Sequence, residues 1–134
     1  MLADLLKSGY GKSMNLNCAE KMLYGANWAY NLKLPPDALR LASGFGGGMG
    51  IGETCGVVTG AVMVLSAMYV KRNAKEGERI KILEEEFIAT FRKEMGCIDC
   101  NSLKKQYRDE VTQCDVIIFK GAKILDSIIA REGY

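Results

Sequence analysis

Six of the nine residues from Gly44 to Gly52 are glycine, and this segment leads into an uncharged run, Cys55 to Val70. Glycine permits positive φ angles and close backbone approaches that other residues do not. A membrane span usually needs about 20 apolar residues, and a run of this shorter length is more typical of a buried core helix. The sequence therefore predicts a glycine-rich loop before a central apolar helix, and no membrane span.

The segments before the loop have the signals of helix starts. Asn17 and Glu20 have the spacing of a capping box, which predicts a helix whose apolar side carries Cys18, Met22, Gly25 and Trp28. Pro35 and Pro36 mark a break and the start of a short helix that ends in the glycine loop. We expect Thr54 to cap the central helix.

The clearest helical pattern follows the central helix. Its apolar stripe ends near Gly96 and consists of Ile80, Leu83, Phe87, Phe91 and Met95. A last pair of helices is predicted from Asn101 to about Tyr107 and from about Asp109 to Arg131. In the second of these, the residues predicted to share one face are Val111, Cys114, Ile118, Leu125 and Ile128. With no strand pattern visible, the predicted fold is all-α: a compact single-domain helical bundle over residues 1–134.

Composition narrows the function classes. The net charge of +2 comes from basic residues scattered along the chain, which does not indicate a nucleic-acid partner. The amino terminus lacks the pattern of a signal peptide, so we expect a cytoplasmic protein whose five cysteines are reduced at rest. The chain has no histidine, which excludes histidine-based acid–base catalysis and histidine ligation of haem by this chain.

Three cysteines follow residues that commonly cap helices. Cys18, Cys55 and Cys100 come after Asn17, Thr54 and Asp99. A helix amino terminus favours a thiolate, so we expect lowered thiol pKa values and sulfurs that serve as nucleophiles or metal ligands. We also expect the three sulfurs to share one pocket beneath the glycine loop. Cys114, taken alone on its predicted apolar face, is better explained by packing.

The glycines have two interpretations. The loop can fold around Cys55 and direct N–H groups at its sulfur, at an anion or at a cluster; the binding residues predicted on this basis are Gly46, Gly47, Gly48, Gly50 and Gly56. Gly56 and Gly60 lie inside a helix, where glycine is unfavourable, and they can instead serve a tight helix crossing or a dimer contact. The sequence favours neither interpretation.

The segments NCAE, ASGFGGGMG and CGVVTGA, followed by Cys100 and Cys114, resemble the C_GCAxxG_C_C family of small redox-active proteins with four characteristic cysteines. The resemblance runs from about Asn17 to about Cys114. It implies that the four family cysteines are Cys18, Cys55, Cys100 and Cys114, and that Cys55 to Gly60 is the family's C-G-A-x-x-G sequence. Val57 stands where the family has alanine, and Cys97 is an extra cysteine.

Several uses of these cysteines stay open. Cys97 and Cys100 form a C-x-x-C pair, but it follows a helix, whereas thioredoxin-like pairs follow a strand. The pair is half of a tetrahedral zinc site that Cys18 and Cys55 can complete, and four thiolates equally fit an iron–sulfur cluster. The cofactor is therefore unknown, with zinc and an iron–sulfur cluster as candidates.

Our leading hypothesis is a cytoplasmic redox protein, with an unknown redox partner protein, in which Cys18, Cys55, Cys100 and Cys114 converge. They would exchange between dithiol and disulfide or hold an electron-transfer centre, as a thiol-based or metal-cluster oxidoreductase. The alternative is a non-enzymatic metal-binding or structural helical module in which the same cysteines hold zinc. The sequence leaves the oligomeric state open, including a homo-oligomer.

Overall fold

A computed structural model describes all 134 residues, which form seven α-helices and no β-strand. The helices are α1 (Leu2–Lys7), α2 (Cys18–Ala29), α3 (Pro36–Leu39), α4 (Gly56–Tyr69), α5 (Arg79–Met95), α6 (Cys100–Tyr107) and α7 (Asp115–Glu132). Tight helical turns at Arg40–Phe45 and Ala74–Glu76 lie between them. The predicted all-α fold is confirmed.

Helix α4 lies at the centre of the molecule. It contacts α2, α5 and α7, and its buried residues join one continuous core of 27 buried side chains. The predicted stripe of α5 packs into the same core, with Phe87 stacked on Phe91. None of the helices combines the length and the apolar character that crossing a membrane requires.

Three core helices run in the same direction. The amino-terminal ends of α2, α4 and α7 lie together around one cavity, which is described below. Their carboxyl-terminal parts meet elsewhere, where the Tyr30 hydroxyl donates to Asp126 and the Tyr69 hydroxyl donates to the Gly133 carbonyl. Arg79 lies over the Tyr69 ring, so α5 begins at this second end and runs back toward the first.

The start of the last helix differs from the prediction. α7 begins at Asp115, and Cys114 is its N-cap residue. The Asp109 carboxylate accepts hydrogen bonds from the backbone N–H groups of Val111 and Thr112, which folds this segment into a turn. Val111 is 90% exposed, so the apolar face predicted for Val111 and Cys114 is wrong.

Two smaller predictions also need correction. Trp28 is 72% exposed, and α2 packs into the core through Ala19, Met22, Leu23 and Ala26. Thr54 is not the cap of the central helix, because Cys55 itself is the N-cap residue of α4. The capping box of Asn17 and Glu20 is confirmed by both of its hydrogen bonds.

Candidate functional site

Four cysteines from distant parts of the chain line one cavity of about 170 Å³. Each lies at the beginning of a different helix: Cys18 and Cys100 are the first residues of α2 and α6, and Cys55 and Cys114 are the N-caps of α4 and α7. Cys55 and Cys100 are buried, whereas Cys18 and Cys114 are half-buried. The structure thus places all four cysteines of our leading hypothesis, Cys18, Cys55, Cys100 and Cys114, in the lining of one cavity.

A short backbone pairing places Cys55 beside Cys100. Thr54 and Asp99 form an isolated antiparallel bridge, in which the Cys55 N–H donates to the Ile98 carbonyl at 2.7 Å and the Cys100 N–H donates to the Glu53 carbonyl. Residues on either side of such a pair point to the same face. The bridge therefore fixes the starts of α4 and α6 side by side with both sulfurs directed to the cavity.

Cys18 reaches the same place because α2 crosses α4 closely. A Cβ atom at Gly56, the residue after Cys55, would lie 2.6 Å from the Cys18 sulfur and 3.0 Å from the Phe45 carbonyl oxygen. At Gly60, one turn later, a Cβ would lie 2.9 Å from the Ala19 carbonyl oxygen. The tight helix crossing considered from the sequence is thus present, and it brings the Cys18 sulfur against the backbone of the Cys55–Gly56 segment.

The glycine loop mainly provides close packing around these helix starts. Four successive residues, Gly47 to Gly50, have positive φ angles, which make one left-handed turn that includes Met49. Gly48 is buried against the Cys100 side chain, where a Cβ would approach the Cys100 Cβ to 2.7 Å.

The glycines predicted to bind a ligand therefore separate into several groups. Gly47 lines the cavity, Gly46 packs on Asn17, Gly48 on Cys100 and Gly56 on Cys18. Gly50 is exposed, and a Cβ there would meet no other atom within 4 Å. Of this set, only Gly47 is positioned to line bound material directly.

Burial dominates the protonation of the cavity thiols. It raises the pKa of Cys55 to about 12, although the nearby N–H groups of Val57 and Val58 oppose the shift without donating a capping hydrogen bond. Burial also raises the pKa values of Cys100 and Cys114. The expectation that a helix start lowers the thiol pKa is wrong for Cys55 and Cys100, because desolvation of a thiolate outweighs the helix dipole.

Cys18 is the common neighbour of the other cavity sulfurs. Burial is the largest cause of the raised pKa values of Cys55, Cys100 and Cys114, and the charge of Cys18 is a further cause at all three. At each of them Cys18 raises the pKa more than any other cysteine does. Such coupling falls with distance, so the Cys18 sulfur lies near each of the other three.

Cys97 lies outside this group. It does not line the cavity, and it packs partly against the core with its thiol near the Asp99 carboxylate. The C-x-x-C spacing therefore contributes only Cys100 to the cavity.

The four cysteines provide the donor number of a zinc or iron–sulfur site but not its compact spacing. No group of three or more His, Cys, Asp or Glu side chains in the molecule lies close enough together to hold one metal ion. Four thiolates around a metal would have to converge at about 2.3 Å from it. The geometry as it stands fits separate thiols around a cavity better than a formed metal centre.

Comparison with known families gives one match. The model of the family described as "Putative redox-active protein (C_GCAxxG_C_C)" matches residues 16–128. No curated protein and no solved structure matches the chain. Because the matched region covers most of the sequence and includes all four cavity cysteines, the chain belongs to the C_GCAxxG_C_C family.

Proposed function

We propose that this member of the C_GCAxxG_C_C family is a thiol–disulfide redox protein in which Cys18 exchanges electrons with a partner and passes them among the cavity sulfurs. The observation that carries the proposal is the shared cavity at four helix starts, with Cys18 coupled to all three other thiols. Cys18 is half-buried and therefore accessible, whereas Cys55 and Cys100 are buried.

The exchange has two steps. The Cys18 thiolate attacks one sulfur of a partner disulfide, the partner's S–S bond breaks, and one partner thiolate leaves. A second cavity thiol then loses its proton and attacks the Cys18 sulfur of the mixed disulfide, which forms an internal S–S bond and releases the second partner thiolate. Two electrons pass to the partner, and the protons lost by the two protein thiols balance those gained by the two partner thiols.

The raised thiol pKa values describe the resting state of the other three cavity sulfurs. Cys55, Cys100 and Cys114 are held as neutral thiols at neutral pH, so they do not react with outside reagents before a mixed disulfide forms. We infer that the protein works in the cytoplasm, where thiols are kept reduced and a redox partner protein can restore the dithiol.

A matched pair of serine variants tests the role of Cys18. Reduced protein is mixed with neutral 2-hydroxyethyl disulfide, quenched with an alkylating reagent, and analysed by peptide mapping for free thiols and disulfides. The wild type has five free cysteines, and we expect two of these thiols to be consumed in forming one internal disulfide that contains Cys18. Cys97→Ser should behave likewise, whereas Cys18→Ser should form an internal disulfide at least about tenfold more slowly. Internal disulfide formation at the wild-type rate in Cys18→Ser would contradict the proposal.

The donor number of four thiols supports one rival, a thiolate-bound electron-transfer centre or a zinc site held by Cys18, Cys55, Cys100 and Cys114. It requires the sulfurs to move together, since they do not form a metal site as placed. Colour and metal content after purification without oxygen distinguish the cases. A brown protein with iron favours a cluster, stoichiometric zinc favours the structural site, and metal-free protein that forms the internal disulfide favours thiol exchange.

A further inference from the structure

The mouth of the thiol cavity carries three cations that have no carboxylate partner. Lys21, Lys104 and Arg108 line the cavity, and none of them takes part in an ion pair. The one acidic side chain in the lining, Asp115, is buried and paired with Lys12 at 3.2 Å. The lining therefore has an excess of positive charge beside the four sulfurs.

The direction of the helices adds to this charge. α2, α4, α6 and α7 contain 12, 14, 8 and 18 residues, and all four begin at the cavity. Each helix presents the positive end of its dipole there, which favours an anion within the first turn. The positive ends of the helices and the three side-chain cations therefore both lie where a partner sulfur must approach.

The size of the cavity limits what can enter. Its volume of about 170 Å³ is smaller than the roughly 300–1,000 Å³ of a typical pocket for a drug-sized ligand. Its inner wall is apolar and includes Val57, Leu103 and Ile118. One arm of a small disulfide fits such a space better than a folded protein surface does.

We propose that the oxidising substrate of this site is a small disulfide that carries carboxylates, with its negative charge held by Lys21, Lys104 and Arg108 while its sulfur meets Cys18. This inference rests on the proposed thiol–disulfide function and names the substrate class of that site. The chemistry is the two-step exchange described above: the bound disulfide is reduced to two thiols, and the protein gains one internal disulfide.

The test compares how fast disulfides of different charge react with the wild type and with variants in and next to α6. Rates of internal disulfide formation are measured with anionic 3,3′-dithiodipropionate, neutral 2-hydroxyethyl disulfide and cationic cystamine. Each rate is divided by the rate at which the same reagent reacts with a free thiol in solution, which corrects for differences in intrinsic reactivity. We expect the corrected rates to fall in that order. The double variant Lys104→Gln and Arg108→Gln should lower the ratio of anionic to neutral rates about tenfold, and so should about 0.5 M salt.

Lys105 gives the matched control, because it is exposed on the same helix but does not line the cavity. Lys105→Gln removes one positive charge close to Lys104 but outside the cavity lining, and it should leave the ratio unchanged. An equal ratio in both variants, or no preference for the anionic disulfide in the wild type, overturns the substrate assignment while leaving the thiol function standing. Failure of all three disulfides to form the internal bond overturns both.

Discussion

At the scale of single residues, a buried thiol responds to two opposing effects. The first turn of a helix favours the thiolate, but removal from water disfavours it, and at Cys55 removal from water is the larger effect. The sequence shows the helix start, since Cys55 comes just before a long uncharged run. It does not show the burial, which depends on α2 and on the segment before α6, both of which pack against the start of α4.

The raised pKa of Cys55 predicts a loss of stability at alkaline pH. The folded-state value of about 12 lies above the ordinary 9.0, so the protonated thiol stabilises the folded state fully below about pH 9. This contribution disappears as the pH rises from about 9 to about 12. Between about pH 8 and pH 10.5, we expect Cys55→Ser to lose about 2 kcal/mol less unfolding free energy than the wild type.

Urea unfolding at the two pH values measures this difference. Serine in place of a buried thiol lowers stability at every pH, so the change between the two values is the informative quantity. Cys97→Ser, whose cysteine lies outside the cavity, should follow the wild type. Equal alkaline losses in wild type and Cys55→Ser would show that burial does not hold the Cys55 proton.

At the scale of helices, the sequence predicted most helix starts but placed the start of α7 too early. The box of Asn17 and Glu20 and the Asp99 cap are local, and both were visible as short patterns. The turn made by Asp109 interrupts residues whose apolar spacing resembles a helix, so α7 was predicted to begin six residues early and Cys114 was assigned to packing. An aspartate can accept hydrogen bonds from the backbone N–H groups two and three residues later and so form a turn. This signal at Asp109 could have placed the start of α7 correctly.

Helix α1 shows a different limit. It was not predicted, and its first N–H groups are satisfied by Asp126, a residue 124 positions away from Leu2. No local pattern can reveal such a partner. The same holds for the function of Gly56, because the nearest atom that excludes a side chain there is the sulfur of Cys18, far away in the sequence.

The close crossing of α2 and α4 predicts a specific effect of one methyl group. Alanine at position 56 would place its Cβ 2.6 Å from the Cys18 sulfur and 3.2 Å from the Ala19 nitrogen. We expect Gly56→Ala to lower stability by about 1–3 kcal/mol through overpacking, and to slow internal disulfide formation by displacing Cys18. Thermal melting and the thiol assay measure both effects on one protein.

Gly44→Ala is the control for this change. A Cβ at Gly44 meets no other atom within 4 Å, and its backbone is not in the left-handed region. This variant should retain the wild-type melting temperature and disulfide rate. If Gly56→Ala matches Gly44→Ala in both measurements, close approach at Gly56 is not needed to position Cys18.

At the scale of the whole molecule, the two ends of the bundle have different roles. One end collects the starts of α2, α4, α6 and α7, and with them the thiols and positive charge of the cavity. The other end joins the carboxyl-terminal parts of the three long parallel helices and holds α1 against α7. This arrangement predicts that the second end can be weakened without altering the chemistry of the first.

Asp126 is the residue with which to test this separation. Its carboxylate accepts from the backbone N–H groups of Leu2 and Ala3, from the terminal amine of Met1 and from the Tyr30 hydroxyl. Asp126→Ala removes these acceptors and leaves the Tyr30 hydroxyl without its partner, so we expect a loss of about 1–3 kcal/mol and faster hydrogen exchange in α1. Asp4→Ala, a change at an exposed carboxylate in α1, should have little effect on either quantity.

Neither Asp126 nor α1 lines the cavity, so internal disulfide formation in Asp126→Ala should keep its wild-type rate at temperatures where the variant stays folded. A slower exchange reaction in folded Asp126→Ala would mean that the two ends are coupled, and that the parallel helices transmit a disturbance along their length to Cys18.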